Sequence, residues 1–142
     1  MNLSALSEIQ RQRIEAATRN IPFADLVGIE LESVEPGLAS MSLAVRDELK
    51  QNNRVVHGGA IASLIDSAAA FAVIPLLKEN ETATTVDLTI NFVRPLVAGR
   101  SKATARVLRE GSRVVFISVE VVDEAGNLAA TALTTYLRLT KR

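Results

Sequence analysis

The stretch Gly58-Gly59-Ala60-Ile61-Ala62-Ser63-Leu64-Ile65-Asp66-Ser67-Ala68-Ala69-Ala70-Phe71-Ala72-Val73-Ile74-Pro75-Leu76-Leu77 decides the architecture. Read as a helix, it is apolar nearly all round and carries a single charge, Asp66. A helix without a polar face must be covered on most of its sides. Its length would just span a bilayer. Asp66 sits near its middle and Pro75 near its end, however, and a lone carboxylate at a bilayer centre is costly. The segment therefore reads as the buried helix of a soluble protein, with no membrane partner.

The flanking sequence supplies strands to cover it. Upstream, Ile29–Val34 and Leu38–Val45 are joined by Glu35-Pro36-Gly37, a turn in which Pro presets φ and Gly accepts positive φ. Within the second run, Ala39, Met41, Leu43 and Val45 alternate with Ser40, Ser42 and Ala44. Downstream the period is two: Val86, Leu88, Ile90 and Phe92 are expected on one face of Thr85–Val93, and Thr85, Asp87, Thr89 and Asn91 on the other. Ser101–Arg109, Val114–Val122 and Leu128–Leu139 follow, with short Gly-bearing connections that imply hairpins and an antiparallel meander. A short amphipathic helix is expected over residues 3–18, apolar at Leu3, Leu6, Ile9 and Ile14, and ended by the segment around Pro22. The expected class is α+β. A curved, antiparallel, six-stranded sheet wraps around one long central helix, with an N-terminal helix in front: the hotdog fold. The alternative is a sandwich with the helix on one flat face. That leaves a greasy side, which a second copy of the chain could cover.

A length of 142 residues suits one domain, expected to run over 1–142 with 1–22 as its N-terminal helical segment. Hydrophobic residues at 48% and charged residues at 23% make a globular composition. Sixteen basic and 16 acidic residues balance to a net charge of zero, which argues against a nucleic-acid partner. With no cysteine there is no disulfide, thiol nucleophile or Cys-ligated metal; with His57 as the single histidine, no two-His metal motif fits within one chain. No apolar run of signal-peptide length opens the chain, so a cytoplasmic location is expected. The window Arg94–Arg113 holds six bases and one acid, either an anion patch for a few phosphates or a solvated strand face.

Two features of the central helix carry chemistry. Gly58 and Gly59 fall where it begins, and a helix N-terminus presents unpaired N–H groups and partial positive charge. Glycine there lets an oxyanion approach the backbone, or simply makes a tight turn. Asp66 lies in the middle of apolar sequence with Ala62, Ser63, Ala69 and Ala70 three and four residues away, so no base on the helix pairs with it. Such an acid needs a partner, water or a substrate. Gly59 and Asp66 share a helix face but stand about 10 Å apart along the axis. One carbonyl cannot reach both. Two copies packed antiparallel would bring Asp66 of one beside Gly59 of the other, twice by symmetry, which favours a homodimer. A Ser63–His57–Asp66 triad is excluded by spacing, because His57 and Asp66 are more than two turns apart. His57 reads better as a loop anchor.

His57-Gly58-Gly59, Asp66 nine residues after the histidine, and the strand Thr85-Val86-Asp87-Leu88-Thr89-Ile90-Asn91-Phe92-Val93-Arg94-Pro95 together resemble the PaaI-like acyl-CoA thioesterases of the hotdog superfamily. The resemblance covers roughly Phe23 to Leu139 in element order. It implies hydrolysis of acyl-CoA thioesters without metal or organic cofactor. It also implies Asp66 as general base on water or as nucleophile, and the N–H of Gly59, with Gly58, polarising the carbonyl from a neighbouring subunit. Thr85 would help hold the water. Basic side chains, with Arg94, Arg109 and Arg113 the better candidates, would meet the CoA phosphates. A homodimer or a homotetramer built as a dimer of dimers is implied. Where the family often has Asn six residues before the histidine and Gly three before it, this chain has Gln51 and Arg54; the side-chain amide then falls to Gln51 or Asn52. A non-catalytic acyl-CoA-binding protein and an enoyl-thioester hydratase or dehydratase are the competing functions on the same fold.

Overall fold

The computed structural model describes residue 1 and residues 3–142. Three helices and six strands run in the order α1 (Glu8–Thr18), α2 (Pro22–Val27), β1 (Ile29–Glu35), β2 (Leu38–Ala44), α3 (Gly58–Val73), β3 (Glu81–Phe92), β4 (Arg100–Glu110), β5 (Val114–Val122) and β6 (Leu128–Thr140). The sheet is antiparallel throughout, with order β1-β2-β4-β5-β6-β3. It curls around α3 as the hotdog reading expects. The only described helix long and apolar enough to cross a membrane, Gly58–Leu76, is this core helix.

Alanine is what lets the sheet close on α3. Ala68, Ala69 and Ala72 are fully buried with Leu64 and Ile65, against Ala39, Met41 and Leu43 of β2 and Ala103 and Ala105 of β4. Small side chains on both surfaces bring strand and helix close, and the branched residues fill the remaining space. Each fully buried Leu or Ile contributes about 1.5–3 kcal/mol relative to exposure. The cover is one-sided. Gly59 is exposed, and Ala62, Ser63, Asp66, Ser67 and Ala70 are only half-buried, so a stripe of small residues along α3 stays open.

The ends of α3 are tied to the rest of the chain. Its C-terminal carbonyls, which have no partner within the helix, accept elsewhere. Ala72 O accepts from Gly37 N–H (3.0 Å) in the β1–β2 turn, where Gly37 takes φ 80°, and Pro75 O accepts from Gln10 Nε2 (2.8 Å) of α1. Helix α1 starts at Glu8, later than the expected residue 3. The reason is a reciprocal cap at Ser7: Ser7 Oγ accepts from Gln10 N–H and Gln10 Oε1 accepts from Ser7 N–H. Helix α2, where only a break was expected, starts with Pro22 in its first turn and ends at Gly28 (φ 84°). The Arg46 guanidinium donates to its last carbonyls, Leu26 O (2.7 Å) and Val27 O (2.5 Å).

Strand β3 departs from simple alternation. Thr85 pairs with Tyr136 and Asp87 with Thr135, so Val86 is an extra residue, bulged out of the ladder and 59% exposed. A bulge resets the two-residue phase. Thr85 therefore shares the inner face with the half-buried Leu88 and Ile90, not the outer face with Asp87 and Thr89 as strict alternation predicts. Phe92, expected inside, is 55% exposed at the strand end.

The loop before α3 is a tight hairpin. Arg54 N–H donates to Gln51 O (2.9 Å) and Gln51 N–H to Val55 O (2.9 Å), with Asn52 and Asn53 at the tip. This is the three-residue loop whose last residue takes the left-handed conformation. That residue is Arg54, at φ 68°, the one non-glycine among the described residues with positive φ. It stands where the resemblance expects glycine. Left-handed backbone costs an L-residue about 1–2 kcal/mol, against about 0.5–1 kcal/mol for the extra chain entropy of glycine. Arg54→Gly is therefore expected to stabilise the protein by about 0.5–1 kcal/mol, read as a rise of a few degrees in melting temperature. An unchanged or lowered melting temperature contradicts this account of the loop.

Candidate active site

His57 caps α3. Its backbone is extended (φ −61°, ψ 136°) and its Nδ1 accepts from Gly59 N–H at 2.8 Å. Its own N–H donates to Leu49 O (2.7 Å), pinning the loop to the helix start. The glycine donor expected to serve a substrate is thus already engaged. Among the described residues Gly58 N–H has no partner, so the free amide at the helix start is that of Gly58. The space there is tight: a Cβ on Gly58 would lie 3.2 Å from Phe92 Cζ, so the phenyl ring would have to give by a few tenths of an ångström. Gly58 lines a cleft of about 380 Å³ with Gln51, Ile61, Phe92, Arg94 and Leu96. On the other flank of the helix start, Gly59 and His57 face a cleft of about 270 Å³ with Phe23, Val27, Leu49 and Ser63.

Two turns along, the half-buried Asp66 is held by hydroxyls and not by a base. Its Oδ1 accepts from Thr85 Oγ1 (2.8 Å) and from Tyr136 Oη (2.8 Å). Among the described residues no Lys or Arg forms an ion pair with it, and Oδ2 has no partner. A carboxylate steadied on one oxygen and open on the other can take a proton or attack a carbonyl carbon. Tyr136 is the sole tyrosine of the chain and is 4% exposed. Burial pushes its phenol well above the usual range, against a downward pull from the Thr85 hydroxyl and with smaller upward contributions from the charge and hydrogen bond of Asp66. It remains a donor. Nothing in the motif spacing pointed to Tyr136. The available signal was a lone tyrosine at an inward position of the last strand, whose hydroxyl must find a partner when buried.

The structure brings Asp66 and Thr85 together, and Gln51, Gly58 and Arg94 together, as two separate groups on one chain. Asn52 is exposed at the hairpin tip. Ser63 Oγ donates back to Gly59 O (2.8 Å), so Ser63, His57 and Asp66 each bond elsewhere and make no triad. The basic window does not form one patch. Arg100 pairs with Glu30 (2.9 Å) and Lys102 with Glu32 (3.6 Å). Arg94 N–H bonds Ala129 O, whereas Arg109 lies at the level of Phe116 and Thr135, and Arg113 O accepts from Arg138 N–H. Six and nine residues of β6 separate these levels, roughly 20 and 30 Å at about 3.4 Å per residue. Arg109 and Arg113 are therefore remote from the Gly58 cleft of their own chain, because a charge run along antiparallel strands is dealt out to both ends of the sheet.

Comparison with known proteins adds an independent line. Residues 53–130 match the family model described as the thioesterase superfamily. The chain is 30% identical over 133 residues to the medium/long-chain acyl-CoA thioesterase YigI of Escherichia coli, covering 83% of this chain and 86% of that protein. It is 28% identical over 131 residues to acyl-coenzyme A thioesterase 13 of Homo sapiens, covering 90% and 93%. Its fold superposes on the structure of the E. coli PaaI protein from the phenylacetic acid degradation operon with a TM-score of 0.87, at 28% identity, over 96% of this chain and 97% of that one.

The cap at His57 is testable by itself. Removing a side-chain N-cap costs about 1 kcal/mol, and Asn is among the best replacements. His57→Ala is expected to lower stability by about that amount in urea unfolding, and His57→Asn to recover most of it. Equal stability of the Ala variant and the parent would mean the Nδ1–Gly59 bond contributes nothing.

Proposed function

This chain belongs to the thioesterase superfamily, and from that membership we propose that it hydrolyses acyl-CoA thioesters to the free acid and CoA, with Asp66 as the reactive group. The observation that carries the reading is Asp66 itself, a carboxylate on an apolar helix with one oxygen steadied by Thr85 and Tyr136 and the other free. The names of the E. coli and human relatives support acyl-CoA as the substrate class.

In the reaction, Oδ2 of Asp66 takes a proton from water as the water oxygen attacks the thioester carbonyl carbon; the C–O bond forms, the C–S bond breaks, and its electron pair leaves on the CoA sulfur, which collects the proton from Asp66. In the alternative, Oδ2 attacks that carbon directly and the C–S bond breaks to give a mixed anhydride and CoA thiolate; water then hydrolyses the anhydride, restoring the carboxylate and releasing the free acid, and the water's proton goes to the thiolate. Charge gathers on the carbonyl oxygen in between. The free N–H of Gly58 at the positive end of α3 is suited to receive it, in preference to Gly59, whose N–H is held by His57. Since Gly58 and Asp66 are about 12 Å apart along one helix, the two must come from different copies of α3. The open stripe of small residues on α3 suits close antiparallel contact with a second copy, giving a homodimer with two shared sites; two such dimers would make the tetramer. Arg94, in the Gly58 cleft, is the base best placed for the CoA phosphates, with Gln51 beside it for a polar contact to the thioester arm. Arg109 and Arg113 would reach that ligand only from the partner copy.

Thiol release from a panel of acyl-CoAs tests this reading. Asp66→Asn is expected to keep fold and oligomer, leave the Michaelis constant nearly unchanged and lower turnover by at least about a hundredfold. Near-normal hydrolysis by that variant removes Asp66 from the chemistry, and absence of thiol release with the parent protein favours a non-catalytic binding role. Light scattering is expected to give a dimer or tetramer at micromolar concentration; a stable, active monomer contradicts the shared site.

A further inference from the structure

We propose that Tyr136 is a positioning residue for the thioesterase reaction: together with Thr85 it saturates Oδ1 of Asp66 and so fixes Oδ2 as the oxygen that works. The inference rests on the reading of Asp66 as the reactive group. A carboxylate oxygen has two lone-pair sites. At Oδ1 both are met, by Thr85 Oγ1 at 2.8 Å and Tyr136 Oη at 2.8 Å. Tyr136 Oη also lies 2.9 Å from the main-chain oxygen of Asp66, so its single proton is shared between the carboxylate and the backbone of the same residue. That arrangement resists rotation of the carboxylate, which would otherwise exchange its two oxygens.

The fold builds this clamp deliberately into the sheet. Thr85 and Tyr136 are directly opposed on β3 and β6, at the last register pair before the Val86 bulge. Without the bulge, Thr85 and the core residues Leu88 and Ile90 could not face α3 together. Nor is the hydroxyl needed for packing, since phenylalanine would fill the same volume. Other charged groups do not compete for Asp66. The inward positions of β2 and β5 are apolar, and those of β4 up to Val107 are apolar or Ser101. The nearest charge on the same face of β6 is Arg138, two residues from Tyr136, and its guanidinium is committed to Glu81 and to Glu110, which the β4 bulge sets opposite the buried Val115. On β3, Glu81 is committed to Arg138 (3.0 Å) and Asp87, past the bulge, is exposed. Burial keeps the phenol protonated, so it can donate through the whole working range of a carboxylate.

The test compares Tyr136→Phe, Thr85→Val and Asp66→Asn as intact oligomers. Tyr136→Phe is expected to lower kcat by about tenfold, less than the about hundredfold or more that an acid–base group itself contributes, while KM for acyl-CoA stays within about twofold. Thr85→Val should do the same. An unchanged kcat in Tyr136→Phe, with Asp66→Asn inactive, overturns the positioning role and leaves the reading of Asp66 standing. An active Asp66→Asn overturns that reading instead. A second measurement keeps the phenol in place. With one tyrosine in the chain, biosynthetic 3-fluorotyrosine labels position 136 alone. Its fluorine resonance is expected to move when the carboxylate it bonds is replaced in Asp66→Asn. A resonance indifferent to that replacement overturns the proposal even if Tyr136→Phe fails to fold.

Discussion

A helix that cannot face water must be covered, yet it holds a carboxylate that cannot be sealed in. The structure meets both demands by covering α3 on one side only. Leu64, Ile65, Ala68, Ala69 and Ala72 are closed over by the curled sheet, while Asp66 keeps to the margin between the packed face and the open stripe. An ionised carboxylate in the packed face would cost several kcal/mol without partners. At the margin two hydroxyls suffice to hold one oxygen, and the other remains available. Alanine and serine around it are then a necessity and not a gap in the packing, since larger neighbours would close the approach that the acid requires.

Much of this was legible in the sequence because it depends on local pattern. The long apolar run, the Pro-Gly turn at 36–37, and the alternation in 101–139 each report a physical requirement that few other arrangements satisfy; β1, β2, β4, β5 and β6 stand within one residue of their expected bounds, whereas β3 starts four residues early and α3 ends at Val73. What escaped depends on pairing across distance. The Val86 bulge is invisible in alternation, because a residue that interrupts the phase looks like one more member of it until its partner strand is known. Tyr136 escaped for the same reason: seventy residues separate it from Asp66, and only the β3–β6 register brings it there. The Ser7 cap was readable in principle from Ser7 and Gln10, but the apolar residues before it suggested a longer helix.

The site shows a similar division. The residue types at 57–59 and 66 single out this segment in the sequence, but which glycine N–H is free depends on where an imidazole nitrogen sits. His57 Nδ1 occupies the second amide and leaves the first. Charge was the weakest guide. A run of bases along antiparallel strands is distributed by the strands themselves, so Arg94 and Arg113 share one basic stretch of sequence and are distant on the sheet. Arg100 and Lys102 neutralise Glu30 and Glu32 of the neighbouring edge, and the count of six bases says little about any single patch.

The strand order has a further consequence for how the molecule comes into being. Strand β3 is hydrogen-bonded to β6 and to no other strand, although thirty-five residues of chain lie between Phe92 and Leu128. As a ribosome releases the chain, β3 and the apolar helix before it emerge long before the strand that completes their cover. Loop closure over that distance is an entropic cost met late, and topologies rich in such non-local pairing fold slowly. The β4–β5–β6 meander can form on its own neighbours first and then receive β3 along its free edge. The Thr85–Tyr136 pair needs both strands, so the environment of Asp66 can be completed only once β6 is present, and a chain that stops short of the last strand lacks the phenol that holds the carboxylate.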